Sequence, residues 1–332
     1  MSHLFGNILT IYGTAANNRG ENEGNITTLQ KINWKGEVHT SVSAEAIRWA
    51  VRYYWQNNGY EVNRRWDENA QPLADHIWQD TNFNSVRFID DDVLGFMQAE
   101  AARVEAGEQS GGEVQEASAG EIQNVSQDEE TASPKGKGKK TSQRKGRERS
   151  QGRVTAKRGV LEVTRAVSLI PYGGNITFNA VSGTKGRTSL YGTEVHATRY
   201  QYGFAMTPNS LQDKSRINAV LDGLISIGEV GGNHARFLYD FSPDSIILRW
   251  THDFSPRFLY CFEQDEWGTI SVPDLVRRVE AEDIDPKELW IGGAIARDLG
   301  NLGANVFPGV KKVVEELLKV ITRDLQLPPR SS

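Results

Sequence analysis

The sequence contains one cysteine, Cys261, so it can form neither an intrachain disulfide nor a zinc site built on paired cysteines. It has no run of about 18 apolar residues, and its first residues lack a basic stretch followed by an apolar one. Neither a transmembrane helix nor a secretory signal is expected, and the expected location is cytoplasmic, with no membrane partner. His3, His39, His76, His196, His234 and His252 form no H-x-H or H-E-x-x-H pair, and no G-x-x-x-x-G-K-[ST] loop occurs. No metal site or cofactor is therefore expected.

Aromatic residues are missing from one long stretch. None lies between Phe96 and Tyr172, in a chain otherwise well supplied with Trp, Tyr and Phe. That stretch is acidic over residues 100–130 and basic over 133–159. Both parts are too poor in large apolar groups to offset the entropy of ordering them. Residues 100–158 are expected to form a disordered charged insertion, either a functional arm or a dispensable linker. Its basic half either touches nucleic acid or is drawn to its acidic half. The net charge of −5 argues against a polyanionic partner in sum, although a small basic groove can coexist with an acidic exterior.

Outside the insertion the pattern is mixed α and β, with no internal repeat. Residues 3–13, 159–170, 195–207 and 244–254 are apolar or alternating at strand length. Helical periodicity occupies 43–59, where Ser43 is the N-cap and Gly59 the stop, and 209–228. The order strand, helix, strand, strand, helix, strand predicts an α+β fold with a ferredoxin-like or RNA-recognition-motif palm. Further helices are expected over 285–299, opened by Asp285, Pro286 and Glu288, and over 309–325. Residues 171–194, between two core strands, predict a projecting hairpin carrying the flat side chains of Phe178 and Tyr191.

The polar signals suit binding more than bond breaking. The stretch "GTAANNRGENEG", residues 13–24, offers amides from Asn17 and Asn18 and the planar fork of Arg19, but no activated nucleophile. Taken alone it is also an ordinary solvated turn. Lys31, Trp34 and Lys35 follow it, and Arg48, Arg52 and Gln56 share one face of the first helix, a cationic rail suited to successive phosphates. A second glycine-rich turn, "GEVGGNHAR", contains Gly231, Gly232, Asn233, His234 and Arg236. It reads equally as a phosphate-holding nest or a plain helix exit. Asp90, Asp91 and Asp92 could hold magnesium, but a solvated turn or helix start is the expected reading, since no second acidic pair supports them.

Taken in order, the Asn/Gly-rich loop, "SVSAEAIRWAVR", the mid-chain hairpin, "GGNHAR" and "LWIGGAIARDL" resemble the DevR-type branch of the Cas-seven family, and most its type I-B members, over residues 1–99 and 159–332. The resemblance implies one discontinuous palm with finger, thumb and C-terminal helices. Copies of such a subunit stack along a CRISPR guide RNA in a Cascade complex with other Cascade subunits and support pairing of the guide with a target DNA strand. It implies RNA contacts at Asn17, Asn18, Arg19, Ser43, Arg48, Arg52, Gly231, Gly232 and Asn233, and a thumb within 171–194. It also implies no catalysis by this chain. Two other readings stand beside it. One is an endoribonuclease of the same superfamily, for which His39, His234 and the aspartate run are the only footholds. The other is a docking surface for a transposition adaptor in a CRISPR-guided transposon complex.

Overall fold

The computed structural model describes residues 1–15, 22–66, 77–99, 154–180, 190–231 and 239–328. In chain order the principal elements begin with β1 (His3–Thr10), β2 (Lys31–Trp34), β3 (Glu37–Val42), α1 (Ala44–Asn57), α2 (Ile89–Val93), β4 (Gly95–Ala99) and β5 (Val154–Arg158). They continue with β6 (Leu161–Val163), β7 (Ala166–Ser168), β8 (Ile176–Ala180), β9 (Leu190–Glu194), β10 (Tyr200–Met206) and α3 (Ile217–Ser226). The last are β11 (Pro243–Thr251), α4 (Pro273–Glu280), β12 (Leu289–Gly293), β13 (Asn305–Phe307) and α5 (Val310–Asp324). The chain divides into two units, Met1–Phe96 with Lys157–Ser332, and Met97–Ala156. Of the second unit, only the facing ends of β4 and β5 are described.

The main sheet runs β13-β12-β11-β1-β10-β7-β3-β2, with β6 also paired to β10. Every neighbour is antiparallel except β12 and β13. Alternation along the central strands loads both faces with apolar groups. Leu4, Ile8, Ile246 and Leu248 join one core, with Ile47, Val51 and Trp55 of α1, Val220, Leu221 and Leu224 of α3, and Leu317 and Ile321 of α5. Phe5, Leu9 and Ile247 join a second core, with Phe258, Phe262, Leu275 of α4, Leu289 and Ile291. Both faces of the sheet are therefore covered, so its central strands tolerate no register slip. No helix among the described residues is long and apolar enough to cross a membrane.

Three expected elements differ. The helix over 209–228 starts only at Ile217, because Pro208–Ser210 form a tight turn, Leu211 is extended, and the Asp213 carboxylate accepts from Ser215 N at 2.9 Å to open a fresh start. The helix over 285–299 is a single turn, Pro286–Glu288, capped by Asp285, followed by strand β12. Burial decides this: Leu289 and Ile291 complete the second core while their backbone pairs with β11, and Gly292-Gly293 is a poor helix interior. The disorder expected over 100–158 does not hold for its last residues, since Val154–Arg158 form a strand paired with β4, while residues 100–153 lie outside the described residues.

Gly293 has φ +94, and a Cβ there would lie 2.0 Å from the Asp244 carbonyl oxygen. Gly293→Ala is therefore expected to destabilise the protein by ~2–3 kcal/mol, whereas Gly300→Ala, with nothing within 4 Å, should stay within ~1 kcal/mol of the parent in urea unfolding.

Candidate nucleic-acid interface

The Arg48–Arg52–Gln56 row does share one face of α1, but it faces protein. Arg48 donates to the Leu94 carbonyl. Arg52 is largely shielded, its side chain 12 % exposed, and donates to the buried Asp90 at 3.1 Å. Gln56 holds the backbone of Trp66 from both sides, accepting from its N–H and donating to its carbonyl, each at 2.9 Å. The expected rail of exposed cations is thus a scaffold row. Burial pulls the Arg52 guanidinium below its usual pKa, with the Asp90 charge opposing. Arg48 differs from Arg52 in having no carboxylate partner among the described residues.

The aspartate run explains the row. Asp90, Asp91 and Asp92 are all buried in the first turn of α2, so the expected solvated turn is a helix start taken out of water. Asp90 accepts from Asn63 N at 2.7 Å and Arg64 N at 3.0 Å besides Arg52. Asp92 meets Arg216 at 2.7 Å, Lys157 at 3.2 Å and Gln212 N at 3.1 Å. Asp91 has one side-chain donor, Asn63 Nδ2 at 2.8 Å. Burial and then the neighbouring Asp90 charge push Asp91 up to about 6. No group of metal-binding side chains occurs among the described residues.

Other expected contacts are also engaged. Lys31 forms an ion pair with Glu194 at 2.7 Å and lies over the Tyr172 ring. Ser43 caps α1, its hydroxyl accepting from Ala46 N at 3.2 Å. Gly231 lies at φ +81, beyond the end of α3. Strands β8 and β9 pair from Ile176↔Glu194 to Ala180↔Leu190, leaving Phe178 74 % exposed. Asn17, Asn18, Arg19, Gly232, Asn233, His234 and Arg236 lie outside the described residues, as does the Tyr191 side chain. Of the nuclease footholds, His39 is buried against the Ser168 carbonyl at 2.7 Å, and the aspartates are bound as above.

Sequence reading missed Arg165. The strand expected over 159–170 breaks into β6 and β7, where Thr164 N bonds to the Gly203 carbonyl and Gly203 N bonds back to the Thr164 hydroxyl, both at 2.8 Å. Arg165 sits in that break. The register Ala166↔Val42 and Val167↔Ser41 brings it level with the Ser43 cap. Its guanidinium donates to the Ser41 hydroxyl at 3.3 Å and has no carboxylate partner among the described residues. Its carbonyl accepts from Tyr260 Oη at 2.6 Å, and the Tyr260 ring packs on Trp34 at 4.8 Å. An unneutralised guanidinium at the break between β6 and β7, with two serines and two aromatic rings near it, can bind a phosphate beside a stacked base. The only sequence signal was one arginine interrupting an apolar strand.

No family model matches the chain. It is 39 % identical over 325 residues, 93 % of this chain and 92 % of the relative, to the CRISPR-associated protein Cas7/Cst2/DevR of Myxococcus xanthus (strain DK1622). Among solved structures it is similar in fold to a chain of a CRISPR RNA-guided surveillance complex, with TM-score 0.52, 14 % identity, and coverage of 96 % of this chain and 100 % of that one. A chain of such a complex described as pre-nicking matches at TM-score 0.52 and 10 % identity, over 96 % of this chain and 99 % of that one.

Removing one partner from the Arg52–Asp90 pair strands a buried charge, so Arg52→Ala is expected to lose ~3–5 kcal/mol of stability in urea unfolding. Asp91 gives a pH signature. Its folded value of about 6 exceeds the ordinary 3.8, so the folded state holds the proton more tightly and stability falls as pH rises from about 4 to about 6. Asp91→Asn keeps an acceptor for Asn63 and should flatten that fall, gaining up to ~3 kcal/mol over the parent at pH 7.5. Thermal unfolding from pH 4 to 7.5 checks it, and parallel curves for the two proteins would contradict it.

Proposed function

The chain belongs to the Cas7/Cst2/DevR family of CRISPR-associated proteins, and from that premise we propose that it is a non-catalytic subunit that holds a CRISPR guide RNA by its sugar-phosphate backbone. The observation that carries this reading is Arg165, a half-buried guanidinium with no carboxylate partner, level with the α1 cap and beside Trp34 and Tyr260. A guide must vary in sequence, so its protein holder gains by contacting phosphate and stacking on any base. Arg48 and Arg52, both turned toward protein, serve the scaffold in this reading.

We read β1, α1, β6–β7, β10, α3 and β11 as an RNA-recognition-motif palm. Support comes from the strand order, in which the fourth lies beside the first, then the third, then the second. Residues 171–194 serve as the thumb, with exposed Phe178 as a wedge beside a base. Copies of the chain would stack along the guide in the cytoplasm, together with other Cascade subunits, while the guide pairs with target DNA. Asn17, Asn18, Arg19 and the glycines at 231–232 join the RNA contacts in this reading.

Arg165→Ala should weaken binding to single-stranded guide RNA equally for unrelated sequences, and lower the slope of log affinity against log salt by roughly 0.7 for the one lost phosphate contact. Fluorescence anisotropy across a salt series checks this. An unchanged slope, or a loss confined to one guide, would overturn backbone recognition at this residue.

A further inference from the structure

The loop that follows β11 is pinned at two points. The Arg249 guanidinium donates to the Ser255 carbonyl at 2.8 Å, and the Gln201 side chain grips both backbone groups of Phe262, donating to its carbonyl at 3.0 Å and accepting from its N–H at 3.2 Å. Between and at these pins Phe258, Cys261 and Phe262 are buried in the second core, while Tyr260 stays half-buried. Tyr260 has φ +57, a left-handed backbone that is rare for a bulky residue. Glycine or asparagine would hold that turn with less strain, so a tyrosine there has to be explained by its side chain.

That side chain reaches the strand break. Arg165 lies between the paired residues of β6 and β7, and its carbonyl accepts from the Tyr260 hydroxyl at 2.6 Å. Burial raises the Tyr260 pKa, with the Thr164 hydroxyl and the Arg165 charge opposing, so the hydroxyl remains a donor. The Tyr260 ring meets Trp34 with centroids 4.8 Å apart and planes at 51°, which ties the break to the end of β2. Without the hydroxyl, a partly buried carbonyl loses this donor and the break is free to take other shapes. We propose that Tyr260 is a positioning residue, whose strained turn and hydroxyl hold the break between β6 and β7 in the shape that keeps Arg165 competent to bind a phosphate. The proposal rests on the guide-RNA reading of Arg165. Losing a positioning residue lowers the competent fraction of molecules, and so the affinity, without removing an ionic contact.

The test is a double-mutant cycle on the full-length protein, read by fluorescence anisotropy with single-stranded guide RNA and, separately, by urea unfolding. Tyr260→Phe is expected to weaken RNA binding about fivefold with the slope of log affinity against log salt unchanged, whereas Arg165→Ala lowers that slope. In the Arg165→Ala background, Tyr260→Phe should change RNA affinity by less than about twofold, because no guanidinium is left to position. Arg165→Ala keeps the carbonyl that Tyr260 binds, so the stability lost on Tyr260→Phe should be the same in both backgrounds. An RNA loss that persists undiminished in the Arg165→Ala background would mean direct contact or general loosening, and would overturn the proposal. So would an RNA affinity untouched by Tyr260→Phe in a protein that Arg165→Ala does weaken. If Arg165→Ala changes neither affinity nor slope, the guide-RNA reading itself fails and the proposal falls with it.

Discussion

Three consecutive carboxylates removed from water set the terms for half of this molecule. Each buried aspartate needs a donor or a cation, and the donors come from regions distant in sequence: α1, residues 63–64, the end of β5, and the turns before α3. An unsatisfied carboxylate at that depth would cost several kcal/mol, so these segments are held in one mutual arrangement. The arginine face of α1 is turned inward for the same reason. Asp91 has a single side-chain donor, and its proton affinity rises.

This divides the cations into two kinds. Arg52, Arg216, Lys157 and Lys31 have carboxylate partners and act as internal ties. Arg165 and Arg48 have only a hydroxyl and a carbonyl, and so keep an uncompensated charge. With a net charge of −5, the chain cannot attract a polyanion by its sum. An uncompensated guanidinium such as Arg165 can do so locally.

Local chemistry was legible in the sequence and long-range pairing was not. The Ser43 cap, the apolar stripe of α1, the central strands and the C-terminal helix follow from residues within one or two turns of each other, and they stand where the pattern puts them. Leu289–Gly293 misled because a capping signal at Asp285 was genuine but opened only one turn before the sheet claimed the next residues. Arg48 and Arg52 misled because spacing tells which residues share a face but not what that face meets. Asp90 lies 38 residues from Arg52, and no periodicity connects them. Arg165 went unseen since its environment is created by a strand break that only Gly203, on the neighbouring strand, defines.

The segment that follows β1 has both of its shoulders fastened to one stretch of chain. Gly13–Ala15 pair with His196–Thr198, and Asn22–Glu23 pair with Ile26–Thr27, which in turn lie along Gly192 and Thr193. Ala15 and Asn22 thus both take their positions from residues 192–198, a stretch far along the chain. A change that shifted this stretch would move both strand ends together, so the pairings at Gly13–Ala15 and Asn22–Glu23 stand or fall as one.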